Sequence, residues 1–353
     1  MSDKITVVIP VKYEELTVSV IIPNYNGKHY LEDCLSSLSN QSYRNYEVVI
    51  VDNASTDGSI EYIKNNFPQF KIIENSENLG FAKAVNQAAK NTKNDFIAVL
   101  NNDTEVHYNW LEEFIIFSKS YEDFGSCQSK ILLYDRKDTI NTVGNELFFL
   151  GHGWSGRYGK PDMSDNNVME VSYCSGASMF MKREVFEQAG YFDDEEVFMY
   201  HDDLDLGWRL LLLGYKNYVA PKSIAYHKYQ YSRNNKKYYY LEVSRFVSII
   251  KYYQLKTMIL ILPAFLILEA GIILLSIRGG WLQDKIKVYW YILKNFYRLL
   301  QKRDRIQKQR KLPDRDISKY FKGKVEFQEF KNIYLQLINP FFDAYWKITK
   351  KVI

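Results

Sequence analysis

From Thr17 to about Ala225, short runs rich in β-branched residues alternate with stretches of helical periodicity, which constrains the fold more than any other feature of the chain. "VSVIIP" (Val18–Pro23), "YEVVIVD" (Tyr46–Asp52), "FKIIEN" (Phe70–Asn75) and "DFIAVLN" (Asp95–Asn101) read as strands bounded by polar turns. Between them, "HYLEDCLSSLSNQ", "GSIEYIKNNF" and "GFAKAVNQAAKN" place apolar residues at helical spacing. This alternation predicts an α/β fold, a largely parallel sheet with helices on both faces. Ligands of such sheets bind beyond the C-terminal ends of the strands. The polar tips Asn24–Tyr25–Asn26, Asp52–Asn53 and Asn101–Asn102–Asp103 all fall at that edge. Upstream, "ITVVIPVKY" (Ile5–Tyr13) nearly repeats "VSVIIPNYN" (Val18–Asn26). The second copy reads as the first strand of the fold, and residues 1–16 as an added edge strand or a dispensable extension.

Three cysteines, Cys34, Cys127 and Cys174, lie far apart without metal-ligand spacing, which suggests neither a disulfide framework nor a zinc site. "MSDKITVV" lacks the basic and apolar pattern of a secretion signal, so a cytoplasmic location is expected. The net charge of +4 is unevenly placed: residues 278–353 carry 19 Lys/Arg against 7 Asp/Glu, which leaves −8 for residues 1–277. An acidic body argues against nucleic acid as a partner. The basic tail points to an anionic surface such as lipid headgroups, with a solvated helix face as the plain alternative.

After Tyr226 the pattern changes. The expected division is a catalytic α/β domain over 17–232 and a mainly helical, apolar and basic region over 233–353. Met258–Ile277 gives twenty mostly apolar residues interrupted by Pro263 and Glu269. A single crossing would put the basic tail outside, against the positive-inside tendency. A re-entrant hairpin or a helix lying in the interface fits better, and a buried core helix remains the structural alternative. The expected membrane contact covers residues 245–311, at the inner face of the cell membrane.

In order along the chain stand "VSVIIPNYNG", "VVIVDNASTDGS", "NLGFAKAVNQA", "LNNDTEV", "CSGASMFMKREVFEQAGYFDD" and "FMYHDDLDLGWRLLLLGY". Together they resemble the family 2 glycosyltransferases, in particular the rhamnosyltransferase-like branch that acts on surface polysaccharides. The resemblance covers about Val18 to His227. It implies the GT-A fold, a nucleotide-diphospho-sugar donor, a divalent cation (Mg²⁺ or Mn²⁺) and inversion at the anomeric carbon. A glycan or lipid-linked acceptor would give the apolar and basic C-terminal region a purpose.

The residue chemistry agrees with such a reaction. Expelling a nucleoside diphosphate builds negative charge that a hard cation with few protein ligands can neutralise. Asn101–Asn102–Asp103 sits where the family carries Asp-x-Asp; Asn101 replaces the first Asp, which leaves Asp103 as the carboxylate ligand. His227, ending "SIAYH", matches the family's metal-binding histidine, whereas His29, His107, His152 and His201 read as structural. By the same resemblance Asp52 would accept a uracil or thymine ring N–H, with Pro23, Asn24, Tyr25 and Asn53 around the nucleoside. Asp57 serves either there or as a helix cap. Gly80, Phe81 and Lys83 would face the ribose or diphosphate.

For the acceptor, "HDDLDL" puts Asp203 in the general-base position, with Asp202 in place of the family's Glu. Asp205 and Arg209, one turn apart, read as helix-end electrostatics. "GHGWSG" (Gly151–Gly156) matches G-x-G-x-x-G only formally, because Pro161 and no helical pattern follow it. A mobile acceptor loop with Trp154 as a sugar platform is expected instead. Ser175 and Gly176 of "CSGAS" would let acceptor and donor approach closely, and the spacing is wrong for a nucleophile elbow. Two other classes fit less well: a nucleotidyltransferase, which would carry a basic glycine-rich loop after the first strand, and a non-catalytic membrane scaffold.

Overall fold

The computed structural model describes residues 16–163, 165–195, 200–229, 236–326 and 333–353. The near-repeat at Ile5–Tyr13 lies outside the described residues. From Val18 onward, β1 (Val18–Asn24), α1 (Lys28–Ser39), β2 (Tyr46–Asp52), α2 (Ser59–Asn66), β3 (Lys71–Glu74), α3 (Gly80–Asn91) and β4 (Phe96–Leu100) follow the sequence periodicity. β1 pairs in parallel with β2 and β4, and β2 with β3. Val18, Val20 and Ile22 pack with Leu31, Leu35 and Leu38 of α1, while Ile21 joins Val49, Val51 and Val85 on the opposite face. Burial on both faces explains why these strands read as near-continuous apolar runs.

The chain continues through β5 (Thr104–Val106), α4 (Trp110–Ser120), β6 (Phe124–Leu133), β7 (Arg136–Thr142), β8 (Asn145–Phe148) and β9 (Gly153–Ser155). It then forms β10 (Met169–Val171), β11 (Ser178–Lys182), α5 (Arg183–Gln188), α6 (Asp202–Leu212) and β12 (Lys216–His227). The large sheet runs β10-β12-β6-β11-β4-β1-β2-β3, and β11 is antiparallel to both β4 and β6. The strands beyond β4 therefore extend the parallel half on one side. One pairing matters most for chemistry. β5 runs antiparallel to the end of β12, with Thr104 opposite His227, so the residue before β5 and the last residue of β12 meet.

Beyond β12 come α7 (Lys236–Tyr252), α8 (Leu255–Arg278), α9 (Leu282–Gln309), α10 (Asp314–Ile317), β13 (Phe321–Lys322) and α11 (Ile333–Thr349). β13 pairs with β8, which pairs with β9, in a small second sheet. Trp208 of α6, Tyr252 at the end of α7, Tyr253 just beyond it, Phe321, Phe342 and Trp346 share one apolar cluster with Phe148 and Phe149. The C-terminal helices thus build a common core with the strand-rich part of the chain.

α8 is long and apolar enough to cross a membrane by length and composition, yet its two faces differ. Thr257, Ile261, Ala264, Leu268 and Glu269 face the protein. Glu269 meets Arg245 and, at 2.5 Å, Lys285, while Arg245 and Lys285 also hold Glu242. The acidic residue that interrupts the apolar run is therefore the helix's ion-paired attachment to α7 and α9.

Candidate active site

The tips of β1, β2 and β4 are laced together by side chains. Asn24 Nδ2 donates to Asp52 Oδ2 at 2.8 Å, and Asn102 Nδ2 donates to Asn24 Oδ1 at 2.7 Å. Asp52 Oδ1 accepts the Ser55 N–H at 2.8 Å. Asn26 and Ala54 both take positive φ, 50° and 62°, where the two loops face each other; Ser55 Oγ accepts the Asn26 N–H, and Asn26 Oδ1 the Thr56 N–H, both at 2.8 Å. Gly27 is required by close approach, because a Cβ there would lie 2.1 Å from Asn102 Nδ2. Asp52 itself is fully buried, so any ring N–H reaches it only past Asn24 and the 53–55 turn. Beside this lattice Tyr25 stands 52% exposed, its ring open for stacking, with Pro23 next to it on β1.

Asp57 caps two helices. Its oxygens accept the N–H of Lys28 at 2.9 Å and of Ser59 at 3.1 Å. Partial burial pushes its carboxyl up, but hydrogen bonds from Ser59 and Lys28 prevail and hold it below the ordinary range. Asn53 is buried and donates to the Gly80 carbonyl at 3.2 Å, which ties β2 to the start of α3. Phe81 is half-buried and Lys83 exposed on that helix. Asn101 is half-buried and anchors the β4 end through its backbone, N–H to Ala177 O at 3.0 Å.

The β5–β12 pairing brings Asp103 Oδ1 to 3.2 Å from His227 Nε2. His227 Nδ1 lies 2.9 Å from Asn141 Oδ1, and the tautomer that donates to this oxygen presents the Nε2 lone pair toward Asp103. Asp103 Oδ1 is buried and has no hydrogen-bond partner. Two bare acceptor atoms at this separation suit a cation: neighbouring ligands of an octahedral ion with bonds of about 2.1 Å lie about 3 Å apart. A hydrogen-bond acceptor behind the imidazole, here the Asn141 amide oxygen, is a support that metal-bound histidines share. Among the described residues no group of three or more His, Cys, Asp and Glu could enclose an ion. Diphosphate oxygens and water would have to complete the shell.

Across the same edge stands Asp203, in the first turn of α6. Its Oδ2 accepts the Gly176 N–H at 3.2 Å and its Oδ1 the Leu204 N–H at 2.8 Å. Desolvation outweighs these hydrogen bonds and raises its pKa. Gly176 separates it from Phe81: a Cβ there would lie 3.1 Å from Phe81 Cζ and 3.8 Å from Asp203 Cβ. Ser175 is held alongside by its N–H to Gln128 Oε1 at 2.8 Å. Asp202 is buried, and burial, then Asp203 and Asp205, push its carboxyl well above the ordinary range. Of the two acids Asp203 is the more accessible.

One expectation is corrected. "GHGWSG" is no mobile loop but the turn and second strand of the β8–β9 hairpin. Trp154 is only 6% exposed, with Nε1 donating to Glu146 Oε2 at 3.0 Å, so it is not an exposed platform for a sugar. Cys174 is buried, which pushes its thiol up to about 12 and makes it inert as a nucleophile. Asn141 carried no sequence signal; only the fold reveals that it orients His227.

Residues 19–190 match the family described as Glycosyl transferase family 2. That segment belongs to glycosyl transferase family 2. It is 25% identical over 235 residues to an N-acetylglucosaminyl-diphospho-decaprenol L-rhamnosyltransferase of Mycobacterium tuberculosis, covering 59% of this chain and 75% of that protein. It is 30% identical over 204 residues to an uncharacterized glycosyltransferase of Rickettsia felis, covering 55% of this chain and 31% of the relative. Among solved structures, S. aureus TarS 1–349 in complex with UDP superposes with a TM-score of 0.52 at 16% identity, covering 95% of this chain and 90% of that one. GalNAc-T7 with UDP, GalNAc and Mn²⁺ gives a TM-score of 0.52 at 19% identity, over 62% of this chain and 44% of that one. These likenesses establish the GT-A fold.

Proposed function

We propose that this glycosyltransferase moves a sugar from a nucleoside-diphospho-sugar, of the dTDP-rhamnose or UDP-sugar type, to a hydroxyl of a glycan or lipid-linked acceptor with inversion. The observation that carries the reading is the pairing of bare Asp103 Oδ1 and His227 Nε2 at the strand edge that also bears Asp203. Tyr25 would stack on the base and the Asn24–Asp52 lattice would fix its position. Phe81 and Gly176 would shape the sugar subsite. Asp203 would take the acceptor hydroxyl's proton as its oxygen bonds to the anomeric carbon. The bond from that carbon to the phosphate oxygen breaks, and the nucleoside diphosphate leaves with the electron pair. Asp103 and His227 would hold a divalent cation, which supplies charge neutralisation for the leaving diphosphate.

The diphospho-decaprenol in the mycobacterial relative's name supports a lipid-linked acceptor here. The test is nucleoside diphosphate release from UDP- and dTDP-sugars, with and without polyprenyl-diphospho-N-acetylglucosamine. Release of one nucleotide that depends on the acceptor is the expected result; no release from any donor by folded protein would overturn it.

A lipid acceptor also accounts for the C-terminal helices. Leu255, Ile259, Leu262 and Leu266 form an exposed stripe on α8, and Ile286, Trp290, Leu293, Tyr297 and Leu300 one on α9. Exposed Lys256, Arg278, Lys287 and Lys294 flank them. Helices with an unpartnered apolar face, an interfacial Trp and Tyr and a basic border lie in the plane of an anionic bilayer. The opposite flank of α8 carries the Glu269 ion network, which a spanning helix would have to take into hydrocarbon. Flotation with phosphatidylglycerol vesicles should recover the wild type but not an Ile259→Glu, Leu293→Glu double variant. Equal flotation of both would remove this assignment.

A further inference from the structure

The segment that bears Asp203 is fastened from behind by the C-terminal helices. His201, just before α6, places Nε2 2.5 Å from Ser248 Oγ of α7. Asp205 accepts from Lys251 Nζ at 2.6 Å, from the Tyr252 hydroxyl and from Arg209 Nε at 2.9 Å. The same Lys251 ammonium reaches Asp193 Oδ2 at 2.7 Å, and Lys302 of α9 holds Asp193 Oδ1 at 2.8 Å. The Lys251 side chain is 1% exposed between these carboxylates. Next to Asp193, Asp194 accepts from Asn86 of α3 at 3.0 Å. One buried ammonium thus joins both flanks of the base-bearing segment, and that segment is joined in turn to the helix that carries Phe81.

Stability alone is a poor reason for such a group. A buried ion pair is often no more stabilising than well-packed apolar residues of the same volume, because desolvation offsets the Coulomb attraction. A buried ion network does fix geometry, since each carboxylate accepts the ammonium from a narrow set of directions. Geometry is what a general base requires: a displacement of about 1 Å can cost on the order of a hundredfold in rate. From this we infer that Lys251 is a positioning residue for transfer, holding Asp193 and Asp205 on one ammonium so that the first turn of α6 presents Asp203 beside Gly176. The inference rests on Asp203 being the base. It also makes α7 and α9, whose neighbour α8 and own outer stripe face lipid in the proposed orientation, part of the catalytic framework.

The test compares Lys251→Met, which keeps the stem and removes the charge, with Lys251→Arg, which restores it. Substrate is the UDP- or dTDP-sugar turned over by the wild type, and binding of the matching nucleoside diphosphate is measured alongside. Lys251→Met should lower kcat about tenfold to a hundredfold, with donor KM and nucleotide binding within about twofold, because the Asn24–Asp52 lattice is untouched. Lys251→Arg should recover most of the loss. Wild-type kcat in Lys251→Met, or a parallel loss of kcat and nucleotide binding that Arg does not repair, would overturn the inference. Where Lys251→Met does not fold, Lys302→Met removes the second cation from Asp193, together with its pairing to Glu195, from a more accessible position, and should lower kcat in the same selective way; unchanged kcat there counts against the role. Asp203→Asn, run in parallel, separates the two claims. Full activity of that variant removes the base assignment and the inference with it, whereas an inactive Asp203→Asn beside a fully active Lys251→Met removes the positioning role alone.

Discussion

Replacing Asp203 by Asn lowers the kcat of sugar transfer by about 10² to 10⁴, the range expected for removing a positioned base, and leaves donor binding intact. The amide occupies the same volume in the first turn of α6 and keeps one acceptor for the Gly176 or Leu204 N–H. It cannot take a proton. Of the groups assigned to the donor, Tyr25, Asn24 and the Asp103–His227 pair make no contact with the Asp203 carboxyl, and the Gly176 N–H keeps an amide oxygen to donate to. A pH profile gives the same test with a sign. The base works ionised, and desolvation raises its pKa above the ordinary 3.8, so the acid limb of kcat/KM is shifted upward from that value and disappears in the Asn variant. The linked stability effect runs the opposite way. Between 3.8 and the raised values the folded protein binds more protons at Asp202 and Asp203 than the unfolded chain does. Their contribution to stability is full below that window and declines as pH rises through it.

The parallel half of the fold was legible because its residues are locally consistent: β-branched runs buried on both faces, separated by amphipathic helices, leave little choice of architecture. The polar tips were legible for a related reason. A buried strand ends in Asp or Asn only where a turn or a ligand needs it, and Asn24, Asp52, Asn102 and Asp103 do meet at one edge. What each tip does was less legible. Asp57 could be read as a cap or a ligand contact, and only its distances to Lys28 and Ser59 show both oxygens engaged in capping.

The remaining errors and omissions are tertiary. Trp154 in a glycine-rich stretch reads as an exposed platform, but a hairpin turns it against Glu146, and no local pattern announces that partner. Asn141 supports His227 through pairings of β7 with β6 and β6 with β12, which no local spacing encodes. Glu269 reads as an obstacle within an apolar helix, whereas its partners Arg245 and Lys285 come from the helices on either side in the chain. Lys251 disappears in a run of tyrosines and lysines for the same reason. Long-range pairs of opposite charge leave no periodic trace, so ion networks are where a single sequence says least.

The Asp103–His227 pair carries the greatest consequence for the reading of the chain as a metal-dependent glycosyltransferase. Replacing Asp103 by Ala removes the only carboxylate of the pair and leaves a single imidazole, which cannot hold a hard cation against water. The direct measurement is calorimetric titration of wild type and Asp103→Ala with UDP- and dTDP-sugars, each with Mn²⁺, with Mg²⁺ and with a chelator. The expected result is that one donor binds the wild type only when the metal is present, and that the variant, equally folded, loses this binding. Donor binding that is indifferent to metal and to Asp103 would contradict the metal site. No binding of any donor by folded wild type would leave the strand tips as turns and return the chain to the non-catalytic scaffold reading.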